Sequence, residues 1–177
     1  MKKTFQIAIM IVATIAFAAC GNKSDKNAEN ADSTKTEKTA DAASEVKEGS
    51  KGPCTVSCDK FSIDIPEGWE VRKISENEIG AGQEYKEGVS FVYDENANYD
   101  QSRQIKMDIN GMEDLGEKTL GANTYATYLW KQSAGDSFSA ILKIGDGQSG
   151  VIKVNTTNVK TADNEIVLKV LGSLKMK

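Results

Sequence analysis

FSAILKIGDGQSGVIKVN (residues 138–155) is the stretch on which the fold class turns. Phe138, Ala140, Leu142 and Ile144 recur at every second position, the period of a strand with one buried face. Gly145-Asp146-Gly147 supplies residues that tolerate positive φ, and Val151 to Asn155 leads back. Two apolar runs joined by such a turn predict an antiparallel hairpin.

Outward from this hairpin the same period persists. Towards the N-terminus, Glu117 to Leu120 and Tyr125 to Gln132 flank a Gly121-Ala122-Asn123 turn. Ile105, Met107 and Ile109 alternate with Lys106 and Asp108, which predicts a strand. "VSFVY" (89–93) predicts another, and so do Phe61, Ile63 and Ile65. Pro66-Glu67-Gly68 turns that last strand, and Trp69 and Val71 continue it, with Trp69 expected in the core. The polar segment Ser75 to Gly88 reads as loop with a short helix. Towards the C-terminus the period changes. In "NEIVLKVLGSLKMK" (164–177), Ile166, Val167, Val170 and Leu171 fall on one helical face. Thr161 or Asp163 can cap its start, and Gly172 can end it. A helix with one apolar face needs a sheet to cover, so the expected class is α+β, an antiparallel sheet with helical cover.

This folded part, residues 54–177, follows two segments of different character. The chain opens with Lys2 and Lys3 and an apolar run, Ile7 to Phe17. Such a run is long enough for a signal-peptide core, but a spanning helix needs roughly 18 or more apolar residues. Phe17-Ala18-Ala19-Cys20-Gly21 resembles a bacterial lipobox, with Phe17 where Leu is usual. The resemblance implies a signal peptide over 1–19 and diacylglycerol on the Cys20 sulfur. Ala16-Phe17-Ala18 offers a competing cleavage pattern that would release a soluble protein. A single acyl chain anchors only marginally, but a lipoprotein carries two or three. Gly21 is not Asp, so the inner-membrane retention residue is missing and the outer membrane is the expected destination. Residues 20–53 then form a tether without aromatics, its charges nearly cancelling. It cannot bury enough apolar area to offset its ordering entropy, so disorder is expected. A coil of that length averages about 30 Å end to end.

Cys54 and Cys58 remain once Cys20 carries lipid, and an oxidising compartment favours pairing them in a disulfide. A redox or soft-metal dithiol is the rival, weakened by a C-x-x-x-C spacing. Two cysteines without histidine cannot close a zinc site.

"FSIDIPEGWEV" (61–71) and "IVLKVLGSLK" (166–175) resemble the opening and the closing of PsbP-like domains. That resemblance implies an α-β-α sandwich and a non-enzymatic accessory, assembly or partner-binding role. Photosynthetic members bind metal through histidine, and this chain has none, so no metal residue carries over.

The absence of histidine removes Ser-His and Cys-His catalysis. A Ser-Lys nucleophile stays conceivable but no motif marks one, and no two carboxylates pair as a glycosidase requires. Asp94, Asn96, Asn98 and Asp100 fall at positions 1, 3, 5 and 7 of a calcium-loop spacing. Tyr99 occupies the place of the needed Gly and Ile105 that of the bidentate Glu, so a solvated loop is the better reading. No cofactor beyond the Cys20 lipid is expected. Tyr128 and Trp130 share one strand face, and Tyr125 and Leu129 the other. A strand apolar on both faces is usually covered on both. The alternative is an open aromatic face that grips a small ligand. Residues 59–117 carry 15 acids and 6 bases, whereas residues 118–177 carry 4 and 8. An acidic chain repels nucleic acid, and a segregated acidic surface would steer a basic partner.

The expectation is therefore a lipid-anchored envelope protein that binds a partner without catalysis. A small-ligand or calcium-binding lipoprotein is the alternative.

Overall fold

The computed structural model describes residues 46–145 and 150–177. The expected signal peptide, Cys20, most of the expected tether and the Asp146-Gly147 turn lie outside the described residues.

In chain order the elements are β1 (Cys54–Ser57), β2 (Phe61–Ile65), β3 (Glu70–Ile74), β4 (Glu78–Gly82), β5 (Gly88–Asp94), α1 (Tyr99–Met107), β6 (Met112–Leu120), β7 (Asn123–Trp130), β8 (Ser137–Leu142), β9 (Val151–Thr157), α2 (Glu165–Gly172) and β10 (Lys175–Met176). Seven strands form a sheet in the order β3-β4-β5-β9-β8-β7-β6, and three form a second in the order β1-β2-β10. Every pairing is antiparallel. The expected hairpin is β8–β9, with Ala140 opposite Val154 and Leu142 opposite Ile152.

The expectation of an α+β, PsbP-like α-β-α sandwich is corrected. Strands take 46% of the described residues and the two helices 13%, so the fold is β-rich. The reason is one of reach. An eight-residue helix is about 12 Å long, while seven strands spaced about 4.8 Å apart extend across about 29 Å. The second sheet shares the covering with α2. Val56, Phe61, Ile63 and Ile65 of that sheet meet Phe91, Tyr125, Phe138, Leu142 and Val154 of the large sheet in one core. From α2, Val167, Val170 and Leu171 join the same core, and Trp69 is buried in it. A smaller cluster of Ala126, Tyr128, Ile141 and Val151 lies on the other face of the large sheet, with Tyr99 of α1 packed against it.

Two local expectations also fail. Residues 105–109 are not a strand; Ile105 and Met107 belong to α1. Asn98 caps that helix, its side chain accepting from the Gln101 amide at 3.2 Å, and Asp100 lies in the first turn. Cap and helix dipole decide the local structure. The apolar alternation signifies nothing, because the one buried residue of α1 is Ser102. Conversely, part of the expected loop 75–88 is β4, where Ile79 and Ala81 point into the core. Gly80 and Gly82 lower its strand propensity, but pairing with β3 and β5 on both sides overrides that weakness.

The two edges of the large sheet differ. Along β3, Gly49 donates to Val71 O at 2.7 Å and Gly52 to Trp69 O at 2.9 Å, so residues of the expected tether already lie on the folded body. β6 is the far edge; its register shifts between Asp114 and Gly116, and Glu113, Asp114, Glu117 and Lys118 line it. Bulges and charges of this kind protect an edge from further strand pairing.

Candidate functional site

The residues Asp94 to Asp100 link the end of β5 to the start of α1. Asp94 receives the Lys153 ammonium on Oδ2 at 2.7 Å and the Asn96 amide on Oδ1 at 3.2 Å. Lys153 is the main reason its carboxyl titrates below the usual range. The Asn98 side-chain oxygen caps α1, and Asp100 is part of the helix. Three of the four calcium-loop positions thus serve an ion pair and a helix start. Among the described residues no group of three or more His, Cys, Asp or Glu side chains is placed to hold a metal ion.

The aromatic pair of β7 divides. Tyr128 is fully buried beneath α1, so it touches no ligand while the helix is seated. Its hydroxyl makes no hydrogen bond of good geometry. Burial pushes its pKa up, and the nearby Arg103 guanidinium partly opposes that push. Trp130 is 38% exposed and donates its indole N–H to Asn110 O at 2.9 Å. Tyr128 and Trp130 therefore share no open face: Tyr125 to Leu129 are buried, and Trp130 is the exposed residue of the strand. Arg103 fastens α1 to β6, reaching Asp114 at 3.2 Å and Glu117 at 3.5 Å. Tyr99 donates to the same Glu117 at 3.1 Å. Burial, then Glu117, raise the Tyr99 pKa to about 12.

Exposed apolar side chains stand on α1, β6 and β7, which the sequence did not reveal. Ile105 is 59% exposed, Met107 41% and Leu115 37%. With Trp130 they make four of the six large apolar side chains exposed among the described residues, and all four belong to α1, β6 or β7. Reading 105–109 as a strand hid the exposure of both Ile105 and Met107, because alternation suggests one buried face. The Asn98 cap signal would have revealed it. Asp108, Glu113 and Asp114 are exposed, and Lys131 reaches Asp136 at 2.9 Å and Glu113 at 3.8 Å.

A cleft lies between β5 and the β2–β4 region. It has a volume of about 490 Å³ and is lined by Asp59, Lys60, Glu76, Tyr93, Asp94 and Lys153 among others. The Lys60 ammonium sits 5.6 Å from the Tyr93 ring centre. Its lining mixes both signs of charge and belongs to a polar, open site.

Cys54 and Cys58 are free thiols, so the expected disulfide is not formed. Residues 54, 56 and 58 face one way along an extended strand. Four residues of strand advance about 13 Å, and a disulfide needs Cα atoms roughly 4.4–6.8 Å apart. Closing the bridge would break the pairing of Cys54 with Ile65 and Val56 with Ile63.

No family model matches this chain, and no curated protein does. The PsbP-like resemblance of the two ends therefore has no match behind it. Among solved structures, a crystal structure of a protein from Bacteroides thetaiotaomicron aligns at 15% identity with a TM-score of 0.47. The alignment covers 74% of this chain and 49% of that one, so the chain spans about half the length of its structural neighbour. A likeness that distant assigns neither fold nor function.

Proposed function

We propose that this chain is a lipoprotein of the bacterial envelope, held by lipid on Cys20 and directed to the outer membrane, whose folded part binds a protein partner and catalyses nothing. Phe17-Ala18-Ala19-Cys20-Gly21 behind a basic and apolar leader supports the anchor. The observation that carries the binding role is the exposed Trp130 of β7, with exposed Leu115 on the paired strand β6 and exposed Met107 on α1, which packs on β6. An exposed Trp is a frequent anchor of binding energy. Glu113 and Asp114 of β6, exposed on the strand paired with that of Trp130, favour a partner with basic residues. The 490 Å³ cleft beside Tyr93 favours one second reading, a lipoprotein that takes up a small polar ligand.

The test is photo-crosslinking in intact cells. A crosslinker at Met107 or Leu115 should give one discrete protein adduct, and one at the fully exposed Tyr85 should not. Trp130→Ala should abolish the adduct. Adducts equal at all three positions, or adducts only with lipid, would refute the binding surface. Separately, Cys20→Ser should move the protein out of the membrane fraction; if it stays, the anchor is wrong.

A further inference from the structure

We propose that α1 is a hinged cover over Tyr128 of β7, latched by polar side chains and able to leave the large sheet while the strands stay paired. Its two ends are fixed. Before the helix, the Ala97 amide donates to Asp94 O at 3.4 Å, and the Asp94 carboxylate is held in turn by Lys153 at 2.7 Å. After it, Asn110 O accepts the Trp130 indole N–H at 2.9 Å and Gly111 O accepts the Lys131 amide at 2.8 Å. Between these points no backbone hydrogen bond joins α1 itself to a strand among the described residues.

Side chains hold the helix instead. Arg103 pairs with Asp114 and Glu117 of β6, Tyr99 donates to the same Glu117, and the Lys106 ammonium donates to the Ser139 hydroxyl of β8 at 3.3 Å. The members of both ion pairs are about one-third exposed or more, and pairs of that kind contribute little. Apolar burial adds little more. Ser102 is the one buried residue of the helix, and Ile105 and Met107 are exposed. A helix of nine residues is marginal by itself, because isolated helices below about 12–15 residues rarely persist in water. α1 is therefore helical while it is seated and unravels as it leaves. Few buried apolar contacts and exposed hydrogen bonds mark a segment that opens before the core does.

The seated state also carries a cost. Tyr128 is fully buried and its hydroxyl makes no hydrogen bond of good geometry; a buried donor left unsatisfied is destabilising. Opening α1 gives that hydroxyl to water. It also rejoins Tyr128 with Trp130, which the two-residue period puts on one face of β7 and which the cover keeps apart. The strands beneath are held differently: β7 pairs with β6 and β8, and β8 with β7 and β9. They stay in place until the core itself unfolds. This opening needs no partner, so it stands or falls apart from the binding role.

The experiment is native-state amide hydrogen exchange, read by NMR on the full chain over a series of low urea concentrations. Amides of residues 102–108 should exchange through an opening that urea hardly promotes, because it exposes little surface, whereas amides of β7 and β8 should exchange through one that rises steeply with urea. Two variants separate the openings. Arg103→Met removes both ion pairs and should speed exchange in α1 about two- to fivefold. Ile63→Val takes one carbon from the core on the opposite face of the large sheet. It should speed exchange in β7 and β8 about two- to tenfold and leave α1 unchanged, a pattern that general loss of stability cannot imitate. Exchange in α1 that shares the urea dependence of β7, that follows Ile63→Val, or that Arg103→Met leaves unchanged would overturn the proposal.

Discussion

Gly121 and Gly116 offer a test of how closely α2 docks on the β6–β7 hairpin. Both have positive φ, +61° for Gly121 and +80° for Gly116. Their surroundings differ. A Cβ on Gly116 would meet nothing within 4 Å, whereas one on Gly121 would lie 2.2 Å from the carbonyl oxygen of Gly172, the last residue of α2. Alanine at positive φ costs about 1–2 kcal/mol at either site. At Gly121 the clash is with backbone, so helix and hairpin must part, and overpacking of that kind adds about 1–3 kcal/mol. Separation would also strain two bonds across the seam: Asn123 Nδ2 to Leu174 O at 2.7 Å and Tyr125 OH to Leu171 O at 2.7 Å. Gly121→Ala should therefore be less stable than Gly116→Ala by about 1–3 kcal/mol, or about 4–12 °C in Tm for a domain of this size. Urea unfolding followed by tryptophan fluorescence measures the difference, since Trp69 is buried and reports loss of the core. Equal destabilisation within about 0.5 kcal/mol, the usual error of such comparisons, would show that the hairpin and α2 do not meet as described.

Thiol counting on the native mature protein should find Cys54 and Cys58 both reduced, with Cys54, half-exposed, labelled before buried Cys58. Burial and then Asp64 raise the Cys54 pKa, so its labelling should be slow near neutral pH and quicken as pH rises, and Asp64→Asn should quicken it further. Alkali should destabilise the fold. Tyr99 is raised to about 12 and buried Tyr125 is raised as well. The unfolded chain loses those protons near pH 10 while the folded chain keeps them. Stability is thus full below pH 10 and falls as pH climbs towards 12. Tyr125→Phe should flatten that fall, at the cost of about 1 kcal/mol at neutral pH for the lost bond to Leu171 O; an unchanged pH profile would contradict the raised Tyr125 pKa.

Where a segment's burial follows from its own residues, the sequence sufficed. Phe61, Ile63 and Ile65 alternate and are buried; Phe138, Ala140 and Leu142 do likewise. α2 keeps a helical stripe and ends at Gly172 as its composition dictates, although its cap is Asn164 rather than Asp163 or Thr161. Trp69 is in the core, as the turn before it implied. These features are local: one face meets water and one does not, and period 2 or 3.6 records which.

Tertiary structure decided the rest, because partners distant in sequence outweighed local pattern. β4 is a strand through its neighbours β3 and β5 rather than through glycine-rich EIGAG. α1 carries apolar residues at strand spacing, yet its cap and its Arg103 clasp to β6 make it a helix with Ile105 and Met107 facing out. Nothing in the alternation of β2 distinguishes the edge of one large sheet from the centre of a small second one, and that choice replaced helical cover with sheet cover. The seating of the Lys106 ammonium on the Ser139 hydroxyl of β8 is of the same kind: which helix meets which strand is a quantity no single stretch of chain encodes.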